Sequence, residues 1–322
     1  MSETDASEGM RTVSVVVPCF NSGRLLLDAL ASITKQKGNF TLLEVLVVDD
    51  HSTDFDTHET LREAEQAPGI RVLSNMRMKG PAGARNTGAF AAKGNWLAFL
   101  DADDLWLPDS LAVRFAALDR HPDARFISGD FQIWDSDTGT IEDNFFQTRP
   151  KTSVFYGPAY QHRMPVRLPR PFRDTLFTAL CHSCSILVKR DLFIEARGFE
   201  ESLMYKEDHH LWFKMSKLTD LVLVPQSVFH YRQHGSNMTK RECSPFEYER
   251  TMLDFVEQSE TLRGLRKEID ARYTKGFAAD AQWFRAHGRF RSALSASWAG
   301  LRRAPTDANL WRQFVASLLH VR

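Results

Sequence analysis

The sequence alternates short apolar runs with stretches of helical periodicity, and this alternation limits the chain to few folds. Four runs have the length and composition of strands buried on both faces: Val13–Val17, Leu42–Val48, Ile70–Ser74 and Trp96–Leu100. Between these runs, apolar residues recur at helical spacing, as in the helix predicted after Asn21. Strands that alternate with helices form βαβ units, so the pattern predicts an α/β fold with a mostly parallel sheet flanked by helices.

Polar residues follow three of these runs at the point where each strand is predicted to end. They are Pro18–Asn21, Asp49–Asp54 and Asp101–Asp104. Ligands of open α/β sheets bind outside the carboxyl ends of the strands. The predicted binding site therefore lies at this edge of the sheet.

Three carboxylates lie within four positions, at Asp101, Asp103 and Asp104. Carboxylates this close repel one another unless a cation joins them, and oxygen ligands suit Mg²⁺ or Mn²⁺, particularly with a substrate diphosphate. The alternative is a solvated acidic loop before a helix that begins near Asp109. The three acids alone favour neither interpretation.

Composition excludes several classes of protein. The formal net charge of zero gives no overall field that favours nucleic acid. No apolar run reaches the roughly 18 residues of a membrane span, and residues 1–10 lack the features of a signal peptide and are predicted to be a disordered tail. We therefore expect a cytoplasmic protein. The four cysteines are too few for a disulfide framework, and Cys181 and Cys184 have the spacing of only half a zinc site.

The segment Gly80–Ala89 is rich in small residues and precedes a predicted helix. Glycine permits close backbone approach, and a helix N-terminus attracts phosphate. No Gly-Lys-Ser/Thr ends the segment, so it is not a Walker A loop, and it does not follow the first strand as a dinucleotide fingerprint does. A tight loop with a surface arginine at Arg85 is the alternative.

Together these segments resemble a known family. The segments Val13–Asn21, Val48–Asp54, Gly83–Asn86 and Leu100–Asp104 are similar, in order and spacing, to the nucleotide-site motifs of family 2 inverting glycosyltransferases. The resemblance covers about residues 11–240 and implies a GT-A fold, which is Rossmann-like. It also implies a nucleotide-binding set: Pro18, Phe20, Asn21, Asp50, Ser52, Arg85, Asn86, Asp101 and Ala102.

The same resemblance implies roles for the metal and for catalysis. Asp103 would ligate Mn²⁺ or Mg²⁺, and His234, in a Tyr-Arg-x-His-x-x-Asn pattern, would be a further metal or phosphate contact. Glu207-Asp208 resembles the Glu-Asp pair of the family, whose aspartate is the general base, so Asp208 would deprotonate the acceptor. Read alone, this pair favours an acidic helix cap, and its position after the metal motif reverses that preference. His210 stands where the family often has a further acid.

The segment 149–173 contains six basic residues, five prolines and no acid. Because prolines disfavour a regular helix, we expect a long loop, which either contacts an anionic acceptor or is simply solvated. The predicted acceptor set is Glu207, His182, Arg163 and Arg167.

Residues 241–322 are predicted to form a helical extension. Phe277, Ala281, Phe284 and Ala293 fall near tetratricopeptide positions, although a generic helical hairpin fits equally. Either these helices or the basic loop could contact a protein partner or the membrane surface.

The sequence thus predicts a metal-dependent inverting glycosyltransferase. Its substrates would be a nucleoside-diphosphate sugar, with UDP as the family default, and a glycan or lipid-linked acceptor. Two alternatives remain: a catalytically silent nucleotide-sugar or partner-binding module, and a sugar nucleotidyltransferase. The second usually has a glycine-rich, lysine-containing loop after the first strand, which Pro18–Asn21 does not match.

Overall fold

The structure is a computed structural model that describes residues 11–235, 243–259 and 264–320. The chain divides into two compact units, one ending at Gly235 and the other beginning at Ser236. The predicted tail, residues 1–10, and the predicted boundary after residue 240 lie outside the described residues. Each unit is described by itself.

The first unit is built on one mixed sheet in the order β3-β2-β1-β4-β9-β6-β10-β5, with β7 paired to β6 and β8 to β10. Its strands are β1 (Thr12–Cys19), β2 (Thr41–Asp49), β3 (Ile70–Ser74), β4 (Trp96–Phe99), β5 (Leu105–Trp106), β6 (Phe126–Asp135), β7 (Ile141–Glu142), β8 (Val166–Leu168), β9 (Ile186–Lys189) and β10 (Leu221–Gln233).

The predicted α/β class is confirmed. Strands β1 to β4 pair in parallel, and their β-branched and apolar residues form the centre of the core. Strand β9 is antiparallel to both β4 and β6, and β10 is parallel to β6. Consequently β6 and β10 run in the same direction as β1 to β4, and all of these strands end at one edge of the sheet.

Helices connect the strands and pack on the sheet. Asp54 is the N-cap of the helix that begins at Phe55, since its carboxylate accepts the Thr57 N–H at 2.7 Å. The helices of this unit are α1 (Leu25–Thr34), α2 (Phe55–Glu65), α3 (Pro81–Ala91), α4 (Ser110–Ala116), α5 (Phe145–Thr148), α6 (Ser153–His162), α7 (Phe172–Phe177), α8 (Arg190–Glu195) and α9 (Glu207–Leu218), with 3₁₀ turns at Ala117–Asp119 and Ser183–Ser185.

The expected long loop at residues 149–173 is wrong. The segment contains α6, β8 and the start of α7, and Pro158 lies inside α6. Proline there removes the N–H that would bond the carbonyl of Val154, but Val154 is on the solvent side, so water can satisfy that carbonyl. Tyr156 anchors the helix, because its hydroxyl donates to the Leu180 carbonyl at 2.9 Å inside the core.

The second unit is helical, as predicted. Phe246 packs directly on Gly276, where a Cβ atom would lie 2.3 Å from the ring, so glycine is required for this contact. Its helices are α10 (Glu247–Ser259), α11 (Arg266–Ala286), α12 (Phe290–Arg303) and α13 (Ala308–Leu318). Across the described parts of both units, no helix is long and apolar enough to cross a membrane.

Candidate active site

The polar residues that follow β1, β2 and β4 meet at the carboxyl edge of the sheet. The Asp50 N–H donates to the Cys19 carbonyl at 2.8 Å, and the Leu100 N–H donates to the Val16 carbonyl at 3.1 Å. These bonds align the ends of three neighbouring strands. The predicted sites at Asp50 and Asp101 are therefore on the same edge.

Asp50 is buried and its carboxylate is fixed on both oxygens. Asn75 Nδ2 donates to Oδ1 at 2.6 Å, and the Gly80 N–H donates to Oδ2 at 2.8 Å. Gly80 has a φ of +130°, which favours glycine at this position. Each carboxylate oxygen has a second lone pair, so Asp50 can still accept a hydrogen bond from a ligand.

The loops after β1 and β2 are joined by side-chain bonds. Ser52 Oγ accepts the Asn21 N–H at 3.0 Å, and Asn21 Oδ1 accepts the Thr53 N–H at 2.8 Å. Pro18 is half-buried near the end of β1, whereas the Phe20 ring is exposed with Lys79 Nζ 4.3 Å from its centroid. The exposed Phe20 face is thus available at the rim of the site.

Arg85 is the buried cation of the site. Its Nη2 donates to Asp101 Oδ1 at 2.7 Å, and its Nη1 donates to Glu207 Oε1 at 2.9 Å. The two carboxylates raise the pKa of Arg85 despite its burial, so it stays charged. Its Nε is also buried and has no hydrogen-bond partner among the described residues. One guanidinium thus links the end of β4 to the start of α9.

Asn86, a predicted nucleotide contact in α3, has a structural role instead, and so does Gly83. Asn86 is buried, accepts the Phe199 N–H at 2.9 Å and donates to the Phe199 carbonyl at 2.9 Å, so it fixes the segment before α9. Its assignment to nucleotide binding is corrected accordingly. Gly83 is required by packing, because a Cβ atom would lie 1.9 Å from the Met78 carbonyl oxygen.

The acidic triplet forms a tight turn that separates its side chains. The Asp104 N–H donates to the Asp101 carbonyl at 3.1 Å, and buried Ala102 lies between Asp101 and Asp103. Asp104 is turned inward, where its Oδ1 accepts the Arg232 N–H at 2.9 Å. Burial and the neighbouring Asp103 and Asp101 carboxylates raise the pKa of Asp104 well above its usual range.

Two groups of side chains around the triplet have the donor atoms for a divalent ion. Asp101, Asp104 and Cys184 lie within 4.8 Å of one another, but hydrogen bonds within the group account for this arrangement. The Asp101 N–H donates to Cys184 Sγ, and the thiol donates to Asp104.

The second group, Asp103 and His234, is more open to solvent. The Asp103 side chain is 33% exposed, and His234 Nε2 is 3.0 Å from its Oδ2. His234 arrives there because β10 runs in the same direction as β4. The predicted pair of metal-ligating residues is therefore brought together at the open rim.

Asp208 lies in the first turn of α9, where the helix dipole favours a negative charge. Burial favours its protonated form, but the charges of His209 and Lys206 and a bond from the His209 N–H lower the pKa of Asp208 below its ordinary value. By contrast, burial and the adjacent Asp208 carboxylate raise the pKa of Glu207 to about 7. The pKa values of these two neighbouring carboxyl groups are thus shifted in opposite directions.

His182, a predicted acceptor contact, lies among aromatic rings. Its ring centroid is 4.9 Å from that of Phe229 and 5.4 Å from that of Phe131. The Cys184 N–H donates to His182 Nδ1 at 3.2 Å, and burial lowers the pKa of His182. A neutral His182 therefore carries its proton on Nε2.

Arg167 is not brought to this edge. Arg167 in β8 pairs with Val222 at the beginning of β10, ten residues before Arg232, or roughly 30 Å along the strand. It forms ion pairs with Asp123 and Asp220. Arg163 follows α6 and lies three residues before β8. Arg167 therefore does not fit the acceptor assignment, because Asp123 and Asp220 hold it at the far end of the sheet. The assignment of Arg163 stays a prediction.

Comparison with known proteins identifies the family. The family model described as glycosyl transferase family 2 matches residues 14–195, which is more than half of the chain. The chain belongs to glycosyltransferase family 2.

Curated relatives and solved structures agree with this assignment. The glycosyltransferase is 31% identical over 253 residues to the Escherichia coli UDP-Glc:alpha-D-GlcNAc-diphosphoundecaprenol beta-1,3-glucosyltransferase WfgD, covering 76% of this chain and 87% of the relative. It is 26% identical to the amylovoran biosynthesis glycosyltransferase AmsB of Erwinia amylovora, covering 84% and 89%. The crystal structure of residues 1-349 of S. aureus TarS has a TM-score of 0.60 at 18% identity, covering 95% and 90%, so that likeness concerns the fold. The predicted family and GT-A fold are confirmed.

Several residues of the glycosyltransferase site were not predicted from sequence. Asn75 orients Asp50, Cys184 bridges Asp101 and Asp104, and Glu201 accepts a bond from Asn86 at 2.8 Å. Asn75 directly follows β3, so the rule that predicted the other strand ends could have found it. Cys184 precedes an antiparallel strand, whose start reaches the same edge only through long-range pairing that no local pattern reveals.

Proposed function

We propose that this glycosyltransferase transfers a sugar from a UDP-sugar to an acceptor hydroxyl in one inverting displacement, with Asp208 as the general base. The observation that carries the proposal is the position of Arg85 between Asp101 and Glu207. Through it, the strand end that would hold the donor and the helix that presents Asp208 form one rigid unit.

The donor half of the proposal assigns the nucleotide to the edge formed by β1, β2 and β4. The base would stack at Phe20 and donate a hydrogen bond to Asp50. Ser52 and Asn21 would shape the loop around the base. Asp101 would approach the ribose. UDP is favoured because WfgD is named as a UDP-Glc glucosyltransferase, and TarS was crystallised with UDP-GlcNAc.

In the proposed step, the acceptor oxygen attacks the anomeric carbon from the face opposite the diphosphate. The acceptor proton passes to Asp208 as the new C–O bond forms. The bond between the anomeric carbon and the diphosphate oxygen breaks, and its electron pair leaves with UDP. Asp208 begins this step ionised and Arg85 keeps the neighbouring Glu207 in place, so proton transfer needs no rearrangement.

A divalent ion, Mn²⁺ or Mg²⁺, belongs to the proposal as the group that neutralises charge on the departing diphosphate. Asp103 would hold it, with His234 as a second ligand. Asp103 Oδ2 and His234 Nε2 lie 3.0 Å apart and share a hydrogen bond, which the ion would replace.

The acceptor would be a hydroxyl of a glycan, and a lipid-linked glycan is favoured because WfgD is named for a diphosphoundecaprenol acceptor. His182, with its proton on Nε2, would donate to an acceptor hydroxyl beside Asp208. The proposal includes a cytoplasmic location at the inner face of the membrane, where nucleotide sugar and lipid-linked acceptor meet.

The general base is tested with Asp208→Asn. The substitution should lower kcat by about 10³-fold while UDP binding changes little, because a general base acts only in the chemical step. Rates and calorimetric UDP binding would be compared with Asp123→Asn, an exposed aspartate at the other end of the sheet. Retained turnover in Asp208→Asn would exclude this residue as the base.

The donor and the metal are tested together by calorimetry. UDP, GDP, dTDP and CMP would be titrated with and without Mn²⁺, beside Asp103→Ala. Metal-dependent binding of one nucleotide that Asp103→Ala loses supports the site. If none of the four binds, the donor assignment is wrong and a binding module is the better interpretation.

A further inference from the structure

The last described helix, α13, exposes an apolar face. Trp311, Val315, Leu318 and Leu319 follow the spacing i, i+4, i+7 and i+8, which places them on one side of the helix. They are between 44% and 78% exposed. The opposite side of α13, with Leu310 and Ser317, is buried within the second unit, so the exposed side is not needed for that unit's own core.

The apolar face continues onto α12. The Phe314 ring centroid is 5.9 Å from that of Trp298 and 5.9 Å from that of Trp311, so three aromatic rings bridge the two helices. Trp298 is itself 54% exposed. We call the set Trp298, Trp311, Val315, Leu318 and Leu319 the C-terminal apolar face.

The surroundings of this face are basic. Residues 289–320 contain five arginines (Arg289, Arg291, Arg302, Arg303, Arg312) and one acid, Asp307, although the whole chain has a formal net charge of zero. Asp307 is used as the N-cap of α13. Arg303 pairs with Glu257 and Asp270.

Arg291, Arg302 and Arg312 differ from Arg303 because they are exposed. Arg291 and Arg302 precede and follow Trp298 by seven and four positions, on its side of α12, and Arg312 is adjacent to Trp311. Exposed guanidinium groups therefore border the apolar side chains on both helices.

We propose that the C-terminal apolar face docks on an anionic lipid surface. Tryptophan and leucine side chains enter the boundary between headgroups and acyl chains, and bordering arginines meet the negative headgroups. A second copy of the chain is a poorer occupant, because a symmetric contact would bring two sets of arginines together. Docking goes beyond the glycosyltransferase assignment and requires neither a donor nor turnover.

The test measures partitioning of the full chain onto sedimented vesicles. Vesicles of phosphatidylcholine alone are compared with vesicles that contain about 30% phosphatidylglycerol, which makes their surface anionic. The chain should bind the anionic vesicles and be released at about 1 M salt, where the screening length falls to roughly 3 Å. Equal binding to both vesicles, or to neither, overturns the proposal.

Variants then separate the two parts of the surface. Neutralising Arg291, Arg302 and Arg312 to glutamine should weaken partitioning by roughly 100-fold, at about fivefold for each charge near the surface. Leu318→Ser with Leu319→Ser should weaken it at least about tenfold. Phe55→Ser, at an exposed phenylalanine of the first unit, is the matched control and should bind like the wild type.

Folding and self-association are measured on the same variants. Circular dichroism identifies a variant that fails to fold, and the single substitution Leu319→Ser, at the most exposed position of the face, then replaces it. A dimer in light scattering that Leu319→Ser dissociates, with unchanged vesicle binding, would assign the face to a second copy and overturn the proposal.

Discussion

Two arginines of the first unit each bind two carboxylates, and they differ mainly in burial. Arg85 binds Asp101 and Glu207 in the buried arginine cluster, and its side chain is 7% exposed. Arg167 binds Asp123 and Asp220 in the surface arginine cluster, where the side chains of Arg167 and Asp123 are 28% and 71% exposed. The first cluster lies at the carboxyl edge of the sheet and the second at the opposite edge.

The number of ion pairs that an arginine forms therefore does not measure their contribution to stability. Water solvates Asp123 whether or not Arg167 is present, so the surface cluster contributes little to stability. Glu207 and Asp101 depend on Arg85, because removal of one partner leaves a buried charge without compensation. A buried cluster is therefore a rigid support, which suits the edge where we propose that substrates bind.

The largest effect is expected for Arg85→Met. Methionine occupies similar space without charge, so Glu207 and Asp101 lose their cation. The free energy of unfolding should fall by about 3–5 kcal/mol, measured by urea denaturation at pH 7. Adding Glu207→Gln to Arg85→Met should recover part of this loss, since one orphaned charge is then removed. A loss of under about 1 kcal/mol would contradict the contrast between the clusters.

The second prediction concerns the pH dependence of stability. The pKa of Glu207 is raised to about 7 from its ordinary value of 4.5 because it is buried and lies beside the Asp208 carboxylate. Between these values the folded state binds more protons than the unfolded state, so the free energy of unfolding falls as pH rises. Glu207→Gln removes this component, which amounts to on the order of 3 kcal/mol between pH 4.5 and pH 7.

The quantity measured is the difference in the free energy of unfolding between wild type and Glu207→Gln at each pH. The difference is necessary because Asp104, whose pKa is also raised, changes stability in the same direction in both proteins. The variant should gain stability relative to wild type as pH rises from 4.5 to 7. A constant difference across this range would show that the pKa of Glu207 is the same in the folded and unfolded states.

The third prediction tests a buried carboxylate that has an amide rather than an arginine as its partner. Asn75→Ala removes the 2.6 Å bond to Asp50 and a 3.0 Å acceptor for the Arg77 N–H. The free energy of unfolding should fall by about 1–3 kcal/mol, less than for Arg85→Met, since no charge pair is broken. If Asp50 contacts the donor, the donor KM should rise while kcat is retained, and Thr53→Ala in the neighbouring loop serves as control.

The polar carboxyl edge of the sheet was largely predictable from sequence because it depends on local pattern. In a parallel βαβ unit each strand ends beside its neighbour, so polar residues after an apolar run fall together, as Asp50 and Asp101 do. The later part of the unit was less predictable. Whether Arg167 faces a ligand or an acid depends on the pairing of β8 with the start of β10, about 50 residues away in sequence, which local periodicity does not encode.

The helix α6 illustrates the same limit. The five prolines of residues 149–173 favoured a loop, yet tertiary contacts outweigh that local preference. Tyr156 is held by the Leu180 carbonyl, and Tyr160 donates to buried Asp130 at 3.1 Å. A prediction from local helix propensity considers only the residues near Pro158, whereas this helix is stabilised by residues 20 to 30 positions away.

The smallest effect is expected for Arg167→Gln. Glutamine keeps much of the aliphatic stem, and Asp123 remains solvated, so the free energy of unfolding should change by under about 1 kcal/mol. The acceptor KM should also stay within about twofold of wild type, because Arg167 lies roughly 30 Å along β10 from the residues that meet Asp104. Stability and acceptor KM are measured on one preparation beside Asp220→Asn. A rise in acceptor KM without a loss of stability would mean that a long acceptor reaches the far edge of the sheet, and the two arginine clusters would then share a function despite their difference in burial.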